Sequence, residues 1–304
     1  MDGLLIVDKP AGCTSHDVVL RVRRLLRQKR VGHAGTLDPD ATGVLLVTLG
    51  QATRFFPYLS GHDKAYEGTI RLGFSTDTYD ASGETVSAET ETAALPGKDA
   101  VAAAMRTLEG GLLQVPPPYS AKKVGGKPAY KLARAGREVV LEPARVNVRS
   151  FRLTDYAPPL LGFEVECSAG TYVRSLAHDL GRRLGCGAHL RSLRRTASGP
   201  YSVRAAVSLA GLEEAAGAGR ADGHVVPVER LVPEAPAVSL SRDAVSLALN
   251  GSPLQPEHLA GPGAEELARG DAALFRVFDP SGKLLALARP SPARDALKPF
   301  LVLR

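Results

Sequence analysis

The chain has 304 residues, 44% hydrophobic and 23% charged, with a formal net charge of +6. No apolar run approaches the ~20 residues that span a bilayer, and the N-terminus lacks a signal peptide's charged and apolar regions, so a cytoplasmic protein with no membrane partner is expected. Cys13, Cys167 and Cys186 are odd in number and widely spaced, which points to buried thiols instead of a disulfide framework or zinc site.

In chain order, "LLIVDKP" reads as a short strand stopped by Pro10. Next, Val18, Val19, Val22, Leu25 and Leu26 recur at helical spacing. Arg21, Arg23, Arg24, Arg27, Lys29 and Arg30 give that predicted helix a basic outer face. "GHAGTLDPDATGVL" then crowds short polar residues before "VLLVTLG", the pattern of a loop running into a buried strand. Pro39 pushes Asp38 toward an extended backbone, and the glycines permit tight turning around it. Two readings follow: a long turn with Asp38 and Asp40 capping backbone N–H groups, or a loop shaped to present one carboxylate.

"AYEGTIRLGF" is a longer strand, "TDTYDASGE" an acidic turn and "KDAVAAAMRTLEG" a helix ended by glycine. "QVPPPYSAKKVGGKPAYKLARAG" looks like an excursion from the core. It opens a second basic cluster, with Lys122, Lys123, Lys127, Lys131, Arg134 and Arg137 interleaved with Tyr119 and Tyr130. "VNVRSFRLTDY" and "LGFEVECSAG" are strands, "TYVRSLAHDLGRRLG" a helix from Thr171, "HLRSLRRTASGPYS" a strand and "LAGLEEAAGAG" a helix. A third basic cluster holds Arg182, Arg183, Arg191, Arg194 and Arg195. "VVPVERLVPEAPAV" reads as a linker, and short apolar runs broken by Gly and Pro after Val238 suggest a small, mostly β domain.

Three basic clusters favour a nucleic-acid phosphate surface over solvated faces. No Walker loop, dinucleotide fingerprint, G-x-S-x-G or metal-spaced His/Cys cluster is present. Asp38 with Asp77 or Asp80 could form a glycosidase pair, and "DPD" could meet a divalent cation. The basic clusters and the absence of tryptophan weigh against a neutral sugar.

Five segments in order, "DKPAGCTSHDVV", "RVGHAGTLDPDATGVLLVTLGQATR", "KAYEGTIRLGFSTDTYDASGE", "PPPYSAKKVGGKPAYKLARAG" and "CSAGTYVRSLAHDLG", resemble the successive motifs of the bacterial TruB family of tRNA pseudouridine synthases. The resemblance covers roughly residues 1–230; the tail more weakly resembles a PUA domain. It implies an α+β fold: a mixed, mostly antiparallel sheet flanked by helices, with a small C-terminal β-barrel. Residues 1–230 would be catalytic, with an RNA-clamping insertion at about 116–140, and residues 238–304 would bind RNA.

The implied activity is isomerisation of uridine 55 in the tRNA T-loop to pseudouridine by a monomer, without cofactor, metal or guide RNA. The partner is the T-arm stem-loop. Asp38 would be the catalytic carboxylate, Arg174 its ion-pair partner, and Tyr66 would stack on the flipped uracil and join proton transfer. His33, Tyr172 and Leu193 match positions at the substrate, while Lys64 and Asp80 would join the hydrogen-bond network. Lys122, Lys123, Lys127 and Arg134 would contact RNA. Asp40 stands where the family usually has an apolar residue. A non-catalytic RNA-binding protein on the same fold is disfavoured by the presence of Asp38, Tyr66 and Arg174 together.

Overall fold

The computed structural model describes every residue except 121, 125, 130, 131, 133–140 and 304. Its larger sheet has eleven strands. They are β1 (Gly3–Lys9), β2 (Val31–Ala34), β3 (Thr42–Leu49), β4 (Lys64–Leu72), β5 (Gly110–Gln114), β8 (Ala144–Ala157), β9 (Leu160–Cys167), β10 (Ala188–Ser198), β11 (Tyr201–Ser202), β12 (Val207–Ser208) and β13 (Val225–Pro227); β6 (Lys123–Val124) and β7 (Lys127–Pro128) form a separate hairpin. The main path runs β12-β1-β3-β10-β4-β9-β8-β5. Pairing along it is antiparallel apart from β1–β12 and β3–β10. A mixed, mostly antiparallel sheet was the expectation.

The centre of this sheet is covered on both faces, which explains why β3 is a continuous apolar run instead of an alternating one. Leu5, Val7, Leu45, Val47 and Leu49 join the core beneath the helices α1 (Ser15–Leu25), α3 (Lys98–Arg106) and α4 (Val173–Leu184), while α2 (Phe56–Ser60) packs Leu59 on the opposite face. Their neighbours Leu4, Ile6, Val44 and Leu46 point the other way, into a second core shared with Leu284, Leu287, Leu301 and Leu303. Leu284, Leu287 and Leu301 belong to the C-terminal sheet, so its back packs against the central strands.

Local chemistry sets the element ends. Helix α1 starts at a capping box: Asp17 N–H donates to Thr14 Oγ1 and Thr14 N–H to the Asp17 carboxylate, at 3.1 and 2.8 Å. It stops earlier than the basic run suggests, because Arg27 adopts φ +47°. Lys29 and Arg30 therefore lie beyond it. Helix α4 starts at Val173, with Tyr172 in the capping position.

Two further expectations are revised. The segment read as a linker is packed: Val225–Pro227 pairs with β1, and Val228, Leu231, Val232 and Ala235 fill the second core. The C-terminal tail forms an open five-stranded order, β15-β14-β16-β17-β18, instead of a closed barrel; no closing pair occurs among the described residues. These strands are β14 (Ala237–Leu240), β15 (Leu259–Ala260), β16 (Phe275–Phe278), β17 (Leu284–Pro290) and β18 (Leu297–Val302). Helices Val245–Leu249 and Pro262–Arg269 accompany them. Among the described residues no helix is long and apolar enough to cross a membrane.

Gly43 opens β3 where β10 runs closest. Its φ is +97°, and an added Cβ would lie 2.2 Å from the Arg195 carbonyl oxygen. Gly43→Ala is expected to cost at least about 2 kcal/mol, combining a disfavoured backbone with a backbone clash. Urea denaturation checks this; an unchanged midpoint would mean that the strands separate easily here.

Candidate active site

Strands β2 and β3 pair antiparallel from Val31↔Leu49 to Ala34↔Leu46, so residues 35–41 form the connection that carries Asp38. Its backbone is held from beneath. The fully buried Lys9 donates from Nζ to the carbonyls of Pro10, Pro39 and Ala41, each at 2.8 Å. Ser15 Oγ accepts from Leu37 N–H and donates to Leu37 O, at 2.9 and 3.1 Å. Arg195, 1% exposed, reaches Val44 O at 2.6 Å and Gly35 O at 2.8 Å. Burial pushes the Lys9 ammonium below the usual lysine range, which is the cost of placing a cation under the loop.

The Asp38 carboxylate projects into a cleft of about 940 Å³. Arg174 grips it twice, Nε to Oδ2 at 2.9 Å and Nη2 to Oδ1 at 3.2 Å. The same guanidinium donates to Thr78 O and Tyr119 O, each at 3.1 Å, and pairs with Asp80 at 3.4 Å. Its side chain is 7% exposed, against 46% for Asp38. Thus the arginine is structural in its surroundings while the carboxylate faces solvent. Burial in the cleft raises the Asp38 carboxyl above the usual range; Arg174 opposes this and Asp80 adds to it. Asp80 is itself fixed by Thr78 Oγ1, Ser82 N–H and Ser82 Oγ, at 2.7, 3.0 and 2.6 Å.

Arg174 is second in helix α4, and the start of that helix is pinned to β5. The buried Gln114 amide accepts from Tyr172 N–H at 2.8 Å and donates to Tyr172 O at 3.1 Å, while Ser175 Oγ donates to Val115 O at 2.8 Å. Asp38, Asp80, Arg174 and Leu193 share the cleft wall. Tyr66 instead packs in the core, beside Arg195 and within electrostatic reach of Asp38. Burial raises its phenol, with Arg195 opposing.

Of the remaining predicted residues, none of those described lines the cleft. His33, half-buried on β2, is pushed below the usual histidine range by burial, and its Nδ1 has no hydrogen-bond partner among the described residues. Lys64, 9% exposed, donates to Ser60 O and His62 O at 3.1 and 2.7 Å. Tyr172 is half-buried at the helix start. Lys122 donates to Glu142 O at 2.6 Å. The side chains of Lys123 and Lys127, and all of Arg134, lie outside the described residues. Sequence reasoning missed the roles of Lys9, Gln114 and Arg195, and it placed Arg195 in a phosphate-facing basic cluster, whereas it is buried under the loop. Only Lys9 carried a signal, as a cation ending an apolar strand.

Comparison with known proteins places the chain in a family. Residues 23–173 match the model for the TruB family pseudouridylate synthase N-terminal domain, and residues 174–233 match the tRNA pseudouridylate synthase B C-terminal domain. A protein of Opitutus terrae named tRNA pseudouridine synthase B is 52% identical over 70% of this chain and 88% of its own. Its namesake in Burkholderia mallei is 43% identical over 96% of this chain and 94% of its own. A solved H/ACA RNP bound to a substrate RNA containing 2′-deoxyuridine superimposes with TM-score 0.73 and 25% identity, over 99% of this chain and 85% of that one. A Cbf5-Nop10-Gar1 complex gives 0.72 and 28%, over 99% and 84%.

The architecture is the pseudouridine synthase fold. The chain belongs to the TruB family of pseudouridylate synthases. It is accordingly an isomerase.

Lys64 provides a test of the packing behind the loop. Burial, with Arg195 beside it, pushes its ammonium down to about 8. Above that pH the folded state sheds a proton that the unfolded chain keeps, so the lysine's contribution becomes more favourable as pH rises. Cys167, pushed up to about 11 by burial, stays protonated in the folded state while it begins to ionise in the unfolded chain over this range, an opposing effect that both proteins share and that cancels in their difference. The stability of the native protein relative to Lys64→Met should therefore rise between pH 8 and 9, by at most about 1.4 kcal/mol. A flat difference in urea titrations would place Lys64 in water.

Proposed function

We propose that this enzyme isomerises uridine 55 in the T-loop of tRNA to pseudouridine, with Asp38 acting on a uridine flipped out of the loop and no guide RNA. The observation that carries the reading is the half-exposed Asp38 carboxylate gripped by the buried Arg174 at a cleft wall. The name shared by relatives 43–52% identical supports tRNA as the substrate. We read residues 1–230 as catalytic and 238–304 as RNA-binding, in a cytoplasmic monomer.

Isomerisation breaks the bond between uracil N1 and the sugar and forms one from C5 to the same carbon; the C5 proton leaves and N1 takes one up, so the overall composition is unchanged. A stacked base hides these atoms, so extrusion must precede chemistry. Arg174 orients the Asp38 carboxylate, which then attacks the sugar C1′ or removes the C2′ proton. Leu193 lines the wall that the base would meet, and Tyr66, packed in the core within reach of Asp38, would contact the uracil once it is extruded into the cleft, with His33 and Tyr172 beside the loop. Asp80 and Lys64 hold the network behind them.

Asp38→Asn is near-isosteric and leaves phosphate contacts intact. It should lower pseudouridine formation on a T-arm stem-loop by about a thousandfold or more while changing RNA affinity less than about threefold. In the native enzyme kcat/KM should fall on acidification through a pKa above the ordinary aspartate value, the direction in which burial moves Asp38. Turnover by the Asn variant comparable to native enzyme would remove Asp38 from the reaction.

The basic excursion contributes by phosphate contact. Replacing Lys122, Lys123 and Lys127 with alanine should flatten the plot of log affinity against log salt by about two to three units, with little change in discrimination between loop sequences. Identical slopes would show that these lysines only solvate the surface.

A further inference from the structure

The cleft wall is rich in acid: Asp38, Asp40, Asp77, Asp80 and Glu84 all line it. An RNA strand entering such a site meets repulsion unless a cation receives its phosphates. Arg174 cannot serve, since its guanidinium is buried and already bound to Asp38, Asp80 and the carbonyls of Thr78 and Tyr119. Among the described lining residues, Arg191 is the one other lysine or arginine.

Arg191 is placed there by a defect in the sheet. On β10, Leu190 pairs with Ile70 and Ser192 with Thr69, so Arg191 is an extra residue with no partner across the ladder. A bulge of this kind re-aims a side chain, and bulges recur beside active sites. Both flanks are fixed. Leu190 accepts from Ala81 N–H at 3.0 Å and donates to Tyr79 O at 2.9 Å. Ser192 O presses so closely on Gly68 that an added Cβ there would lie 2.2 Å away. The neighbouring arginines are committed: Arg194 to Asp8 at 2.8 and 3.0 Å, Arg195 to loop carbonyls, and Arg183 to Thr107. Arg191 is exposed, with no hydrogen bond or ion pair to a described residue.

We propose that Arg191 holds a backbone phosphate next to the flipped nucleotide, supplying the positive charge that the cleft otherwise lacks. This rests on the reading of the cleft as the uridine site. The bulge sets the guanidinium at the cleft wall, and its planar fork suits two phosphate oxygens. The contact positions the strand and reads no base.

The experiment compares native enzyme, Arg191→Ala and Arg191→Lys on a T-arm stem-loop, and on the same RNA with single methylphosphonates flanking the target uridine. Arg191→Ala should raise KM about five- to tenfold with a smaller change in kcat, and lower the salt slope of binding by about one. Arg191→Lys should recover the slope and part of the KM, since it restores the charge without the fork. One neutralised phosphate should abolish the difference between native enzyme and Arg191→Ala.

Equal slopes for native enzyme and Arg191→Ala would overturn the proposal, as would a KM defect that persists undiminished at every methylphosphonate position. If native enzyme binds this RNA without turning it over, the T-loop reading fails. The salt slopes still decide the phosphate contact, because they need no catalysis.

Discussion

One guanidinium organises this cleft. Arg174 joins Asp38 from the β2–β3 loop, Asp80 and Thr78 from the acidic turn, and Tyr119 from the segment after β5. Without it two carboxylates would face each other across a partly dry cavity, where like charges drive protonation. The two members of the main pair differ in exposure, 7% against 46%. Stripping the arginine would leave Asp38 and Asp80 without the guanidinium that bridges them, whereas Asp38 is partly screened by water. The pair thus divides its labour: Arg174 anchors and Asp38 is presented.

Presentation depends on a second layer of buried cations. The loop from Gly35 to Ala41 has carbonyls facing the interior, and buried carbonyls require donors. Lys9 and Arg195 supply them from β1 and β10, spending long side chains on backbone oxygens. The lowered range of Lys9 shows that its charge is costly there. A neutral donor would be cheaper in desolvation, but few side chains can reach three carbonyls from one atom. Gln114 does for the helix α4 start what Lys9 does for the loop, fixing Tyr172 on both sides of its peptide.

These supports mark the boundary of what the sequence could reveal. The strands at the sheet centre were legible because "VLLVTL" is buried on both faces, and Asp38 because Pro39 and its glycines frame it. Strand β2 was not: "VGHA" has no alternation, and it is held by pairing to β3. The supposed linker carried prolines, a composition typical of exposed chain, yet its valines and leucines fill a core that exists only once the C-terminal sheet has docked. Lys9, Gln114 and Arg195 escaped notice because their partners lie 32, 58 and 160 residues away. A charged side chain looks solvent-facing until the carbonyls that satisfy it are assembled. The third basic cluster shows the same effect, for nearness in sequence conceals a buried arginine, an ion-paired one and an exposed one.

The charge distribution finally explains how an acidic cleft can belong to an RNA-modifying enzyme. The chain carries +6 overall, which draws a polyanion toward the surface. Inside the cleft, Asp38, Asp40, Asp77, Asp80 and Glu84 reverse the sign. A phosphate is repelled at that point, but uracil is neutral and its N–H edge can donate to carboxylates. If Arg191 holds a phosphate as proposed, field and shape act together: the backbone stays at the cleft wall and only the base is admitted. On the proposed reading, flipping would be favoured by electrostatics as well as by access, because the extruded base is the part of the nucleotide that gains by entering an acidic site.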